Sequence, residues 1–123
     1  MFEWKAEYET GISEIDAQHR RVFAMAAELY AAILEGRDQA TLGALLAGLA
    51  SFSREHFEAE ESLMRAVNYA GLAEHHAAHN QLSSAIGAVS RITPDAASLL
   101  NGWLAHHITE VDRKMSAALR LRP

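Results

Sequence analysis

Apolar residues recur every three or four positions along most of the chain, which places them on one face of a helix. Four stretches show this spacing, and they run from Ile15 to Ile33, Leu42 to Val67, Leu72 to Val89 and Leu100 to Leu119. Alanine and leucine are abundant while proline and β-branched residues are sparse, and this composition favours helices. We therefore expect an all-α fold, an antiparallel up-down-up-down four-helix bundle.

Two helix starts are marked by local sequence. Ser13 with Asp16 three residues later resembles a capping box, with Asp in place of the usual Glu. Thr93 followed by Pro94 is typical of an N-cap residue and a first-position proline. Both signals agree with the start of an apolar stretch.

The first 12 residues lack helical periodicity, and we expect an extended arm that packs Phe2, Trp4 and Tyr8 across the bundle. The chain contains no repeat or low-complexity tract. A length of 123 residues fits one domain over residues 1–123.

Charge and hydropathy narrow the possible partners. The net charge is −5 and no basic cluster exceeds the pair Arg20 and Arg21, so we expect no nucleic-acid binding. The acidic, aromatic N-terminus does not resemble a signal peptide. The longest uncharged apolar stretch, Leu42 to Ala50, is far shorter than the roughly 20 residues that cross a bilayer. We expect a cytoplasmic monomer that does not insert into membranes, with no protein partner indicated.

The chain has seven histidines and no cysteine. Without cysteine, thiolate zinc sites, iron–sulfur clusters and a cysteine nucleophile are excluded, so any metal would be bound through nitrogen and oxygen. One inward histidine is usually a core residue that bonds a backbone carbonyl. Here five histidines and one glutamate replace apolar residues on the inward faces, and one shared metal site would satisfy them together. These residues are His19, His56, Glu60, His75, His79 and His107.

The spacing of these residues supports a shared site. His56 and Glu60 are four residues apart, as are His75 and His79, so each pair lies about 40° apart on one helix face. Asp112 follows His107 by five residues, which is about 140° on a regular α-helix. For both to reach one site, we predict a π-bulge between them.

Two histidines remain. His76 directly follows the candidate ligand His75, and His106 directly precedes the candidate ligand His107. A neighbouring residue on a helix points about 100° away, so we predict that both lie on the surface or at the flank of the site. Choosing His106 in place of His107 is the main register error that the sequence permits.

Four segments carry a family resemblance, and together they extend it from Trp4 to Asp112. They are GISEIDAQH ending at His19, HFEAEESLM from His56, HHAAH from His75, and WLAHHITEVD from Trp103. With these motifs the chain resembles the hemerythrin family, specifically its single-domain bacterial form. The last motif of the family selects His107 over His106.

The resemblance implies a non-haem di-iron site inside a four-helix bundle. Three histidines would bind one iron and two would bind the other, while two carboxylates and an oxo or hydroxo group bridge the pair. The three-histidine set is His75, His79 and His107, the two-histidine set is His19 and His56, and the bridging carboxylates are Glu60 and Asp112. The two-histidine iron is one ligand short, and O₂ would bind there.

The implied function is reversible O₂ binding for transport, storage or delivery, without enzymatic turnover, with azide or NO as alternative ligands. Phe57, Trp103, Leu104 and Ile108 would surround the O₂ pocket and exclude water. One alternative is a module that senses O₂, NO or redox state, possibly excised from a longer protein, and another is an iron-dependent enzyme. A ferritin-like di-iron protein is disfavoured because the chain has no E-x-x-H motif.

Overall fold

A computed structural model describes residues 1–120, and the last three residues of the predicted single domain lie outside this range. Helices connected by short turns account for most of the described chain, which contains no strand. They are α1 (Ser13–Leu34), α2 (Gln39–Ala66), α3 (Leu72–Gly87), α4 (Pro94–His106), a π-helical segment (His107–Asp112) and α5 (Arg113–Arg120). Since α4, the π-helical segment and α5 are continuous, they form one long fourth helix. The predicted up-down-up-down bundle is confirmed.

The start of the fourth helix is as predicted, whereas that of the first is not. Thr93 Oγ1 accepts a hydrogen bond from the Ala96 N–H at 3.1 Å, so Thr93 is the N-cap of α4. Ser13 does not cap α1, and the capping-box prediction is wrong. The Asp16 carboxylate instead accepts hydrogen bonds from the N–H and Oγ1 of Thr10, at 2.8 and 2.7 Å. It therefore ties the N-terminal arm to the first turn of α1.

The N-terminal arm packs its aromatic side chains on the bundle, as predicted. It contains one 3₁₀ turn, Ala6–Tyr8, and is otherwise irregular. Trp4, Tyr8 and Phe23 form a ring cluster with centroid distances of 5.1 to 5.6 Å. Phe2 contacts the ring of Tyr30 edge-on. The arm thereby covers one side of α1.

Two apolar clusters of unequal size form the core. The larger one includes Phe57, Leu104 and many residues from all four helices. The smaller one consists of Ile15, Met64 and Met115, all almost fully buried. Each of these three residues lies three or four positions from a predicted metal ligand, so the polar site lies between the two clusters. In the part of the chain that is described, no helix is long and apolar enough to cross a membrane.

Candidate metal centre

The structure brings all seven predicted ligands together in the bundle interior. Every helix contributes, and each of the seven residues is at most 7% exposed. They fall into two groups. Within each group, the candidate ligand atoms all lie within 4.8 Å of one another. One group holds Glu60, His75, His79, His107 and Asp112, and the other holds His19, His56, Glu60 and Asp112. The two groups therefore share both carboxylates.

Glu60 divides four imidazoles between its two oxygen atoms. Its Oε2 lies 3.1 Å from His19 Nε2 and 2.8 Å from His56 Nε2. Its Oε1 lies 3.1 Å from both His75 Nε2 and His79 Nε2. One oxygen thus faces each histidine group. A carboxylate placed in this way can bridge two cations.

Asp112 divides its oxygen atoms in the same manner. Its Oδ2 lies 3.1 Å from His19 Nε2 in the two-histidine group. Its Oδ1 lies 3.0 Å from His75 Nε2 and 3.2 Å from His107 Nε2 in the three-histidine group. Asp112 therefore forms a second link between the two groups. It lies on a different helix from Glu60, but its two oxygen atoms face the two groups in the same way.

The fourth helix has the local distortion that the spacing of His107 and Asp112 predicts. Residues His107–Asp112 form a π-helical segment, which confirms the predicted π-bulge. The wider turn brings two side chains five residues apart to the same side of the helix. The Thr109 hydroxyl donates to the Ala105 carbonyl at 2.8 Å, beside the start of this segment. Without the distortion, Asp112 would point away from the site.

Several buried polar atoms of this cluster make no hydrogen bond within the described chain. Both oxygen atoms of Asp112 are among them, as are the Nε2 atoms of His56 and His107. Their nearest polar neighbours are close in distance but poorly directed for hydrogen bonding. An unpaired buried carboxylate is costly, whereas a cation at the centre of the cluster satisfies all these lone pairs. The donor set of imidazole and carboxylate suits iron. The residues present therefore fit the implied metal.

The electrostatics of the cluster also favour cations. Burial lowers the pKa of His19 and of His75, but Asp112 and Glu60 more than offset it and raise both values to about 9. Burial raises the pKa of Glu60, yet the surrounding imidazoles bring it well below its usual range. Burial and the Glu60 charge likewise raise the pKa of Asp112, and three imidazoles reverse the shift to a lowered value. The carboxylates are charged, so protons or metal ions must neutralise them.

A model of the hemerythrin HHE cation binding domain matches residues 10–119 of the chain. The chain belongs to the hemerythrin family. It is 32% identical to hemerythrin from Siphonosoma cumanense, with 96% of this chain and 94% of that protein covered. It is 28% identical to bacteriohemerythrin from Methylococcus capsulatus, with 88% of each chain covered. A crystal structure of wild-type hemerythrin superposes with a TM-score of 0.88 at 27% identity, covering 95% of this chain and 96% of that one.

Two further residues of this hemerythrin domain bind candidate ligands on the side of the ring that faces away from the metal site. The sequence analysis did not identify either of them. His56 Nδ1 bonds the side-chain oxygen of Gln18, and His79 Nδ1 donates to Glu61 Oε2 at 2.8 Å. Such bonds fix the ring so that Nε2 faces the metal site. Burial raises the pKa of Glu61, but hydrogen bonds from His79 and His76 lower it to a net value below normal.

The two predicted bystander histidines lie outside the cluster. His76 has a side chain that is 55% exposed, and its Nδ1 lies 2.7 Å from Glu61 Oε1. His76 therefore contacts Glu61, the same residue that binds His79 Nδ1. The sequence did not reveal this contact. His106 is exposed and lines a surface groove beside Trp103. Neither belongs to the groups that contain the seven candidate ligands.

A small cavity of about 20 Å³ is lined by His19 and His56 of the two-histidine group, and also by His107 and Asp112. Phe57, Leu104 and Ile108 also line it. Trp103, which was predicted to surround the O₂ pocket with them, lines two other cavities. The reason is that it precedes Leu104 by one position and points about 100° away. Three lining residues were missed by the sequence reading, namely Val22, Ser53 and Leu82.

Proposed function

We propose that this hemerythrin domain binds O₂ reversibly at two iron ions, for O₂ transport, storage or delivery. The observation that carries the proposal is the division of the carboxylate oxygens. Glu60 and Asp112 each direct one oxygen to the two-histidine group and the other to the three-histidine group. This arrangement supports a bridged pair of metal ions more than it supports one ion or two independent ions.

In this proposal each of the seven residues has one role. Three imidazoles would hold one iron and two would hold the other, while both carboxylates would contribute to both ions. The first iron would be held by His75, His79 and His107, the second by His19 and His56, and the shared carboxylates would be Glu60 and Asp112. The iron pair, when bound, supplies the electrons that reversible O₂ binding requires.

The difference between the groups gives the ligand a place to bind. The two-histidine group offers one donor fewer, and the small cavity is lined by His19 and His56 of that group. A cavity of about 20 Å³ is large enough for roughly one water-sized molecule. The cavity thus favours O₂ or a ligand of similar size, such as azide or NO, over larger substrates.

The remaining walls of the cavity exclude water from the site. Phe57, Leu104 and Ile108 are each at most 7% exposed. The ring of Phe57 also stacks on His79, with centroids 4.1 Å apart, and so restrains that imidazole. A dry, preformed pocket favours release of the ligand unchanged over side reactions with water.

Iron analysis and optical spectroscopy test the proposal on one sample. We expect about two irons per chain and an absorption spectrum that changes under O₂ and returns on deoxygenation. His106→Ala serves as the matched control for His107→Ala, since the first should keep full iron content and the second should lose it. A chain without iron, or one bound through His106, would contradict the assignment.

The proposal also distinguishes this protein from an iron enzyme and from a sensor. An enzyme would turn over peroxide or NO well above the spontaneous rates, and we expect no such excess. A sensor would change the bundle on ligand binding, which hydrogen exchange would detect in α1 to α4. We expect exchange changes confined to residues near the cavity.

A further inference from the structure

The hydroxyl of Ser53 is buried beside the metal centre without a partner. Ser53 lies on α2, one helical turn before His56, and is 3% exposed. Its Oγ makes no hydrogen bond with any residue in the range 1–120. A buried hydroxyl that lacks a partner costs free energy, so its position requires an explanation.

Ser53 lines the same small cavity as His19 and His56. Its position one turn before His56 places both side chains on one helix face. Among the described lining residues, those that are not candidate metal ligands are otherwise apolar: Val22, Phe57, Leu82, Leu104 and Ile108. Ser53 is therefore the one hydrogen-bond donor in this part of the cavity wall.

Serine inside a helix commonly bonds the carbonyl four residues earlier, here that of Leu49. That bond is not made in this structure. The hydroxyl is thus available to a molecule in the cavity, which would supply the acceptor that the protein lacks.

We propose that Ser53 Oγ–H donates a hydrogen bond to the small ligand that occupies this cavity. The inference rests on the proposed function, because the ligand is the one that binds beside the two-histidine group. Ser53 then favours ligands whose facing atom carries negative charge, since hydrogen bonds to charged acceptors are the stronger ones. It is a positioning and selecting residue, and it holds no metal.

Azide binding to the oxidised, iron-loaded protein tests this role. Ser53→Ala removes the hydroxyl with little change in side-chain volume. If only the size of the cavity mattered, the azide affinity would not change. We expect azide to bind about 10- to 150-fold more weakly, which corresponds to the usual net strength of a hydrogen bond to a charged acceptor. Ser116→Ala is the matched control, because Ser116 is equally buried but its hydroxyl donates to the Arg113 carbonyl at 3.1 Å. This control should bind azide as the wild type does.

Infrared spectroscopy of the bound azide reports the hydrogen bond directly. We expect the azide stretching band to shift between H₂O and D₂O in the wild type and in Ser116→Ala. The solvent shift should disappear in Ser53→Ala. A merely structural effect of Ser53 would leave the shift in place and would overturn the inference.

The metal-free protein gives a readout that does not depend on iron. Because the hydroxyl has no partner within the described chain, Ser53→Ala should unfold at the same temperature as the wild type or higher. A drop as large as that of Ser116→Ala would mean that Ser53 bonds the protein, and would overturn the inference.

The outcomes separate this inference from the proposed function. If the wild type binds iron and O₂ while Ser53→Ala binds azide with unchanged affinity, the inference fails and the proposed function stands. If the wild type binds neither iron nor azide, both fail. Weaker azide binding together with a lost solvent shift supports the inference.

Discussion

Removing the Glu61 side chain tests how far the metal centre depends on a residue that is not itself a candidate ligand. Glu61 accepts hydrogen bonds from His79 Nδ1 at 2.8 Å and from His76 Nδ1 at 2.7 Å. Its side chain is 12% exposed, while that of His79 is 2% exposed. Glu61→Ala therefore leaves the His79 ring N–H unpaired in a buried position.

The expected loss follows from that one bond. An unpaired buried donor costs about 1–3 kcal/mol, and loss of a hydrogen-bond partner behind a metal-binding histidine typically costs 10- to 100-fold in metal affinity. These two figures agree, since a tenfold change is about 1.4 kcal/mol. We expect iron to bind 10- to 100-fold more weakly to Glu61→Ala. Glu61→Gln keeps one acceptor oxygen without the charge and should lie between this variant and the wild type.

A chelator competition titration measures the iron affinity. Glu58→Ala is the matched control, because Glu58 is an exposed glutamate on the same helix. His76→Ala removes only the exposed end of the network and should change affinity by less than about twofold. Wild-type iron affinity in Glu61→Ala would refute the claim that Glu61 orients His79.

Three further predictions concern a bridge, the cavity wall and the arm. Asp112→Ala removes a carboxylate that faces both histidine groups, so we expect iron content to fall well below two per chain by metal analysis; retention of a full pair would contradict bridging. Leu104→Ala should cost about 2–5 kcal/mol in denaturant unfolding and shorten the lifetime of the oxygenated form, because water gains access to the cavity; an unchanged lifetime would exclude a gate. Burial raises the pKa of Asp16, but hydrogen bonds from Thr10 lower it to a net value below 3.8. Its contribution to stability is therefore present above about pH 4 and lost as the pH falls through the folded pKa. Thermal melts of the metal-free protein should find Asp16→Asn less stable than wild type at pH 7, by about 1–2 kcal/mol, with the gap closing as the pH falls below about 4; a gap that does not narrow in acid would contradict a stabilising role of the Asp16 carboxylate.

The bundle could be predicted because one period of three to four residues governs both helix geometry and burial. The same geometry predicted that His56 and Glu60 share a face. It also required the π-helical segment, since His107 and Asp112 cannot otherwise reach one site. Local spacing along a single helix carried these predictions.

Contacts that depend on the distance between helices, or on the path of the N-terminal arm, could not be predicted from the sequence. Gln18 and Glu61 meet their histidines across helix pairs, and no spacing within one helix reveals such partners. Ser13 and Asp16 were predicted to form a capping box because the sequence does not show that the arm passes within reach of Asp16.

The ratio of O₂ bound to iron bound tests the central claim most directly. A bridged pair with one open position predicts one O₂ for every two irons, released in full when the O₂ pressure is lowered. Gas uptake measured on a sample of known iron content gives this ratio over repeated cycles. One O₂ per iron, or O₂ that is consumed and not released, would contradict the account.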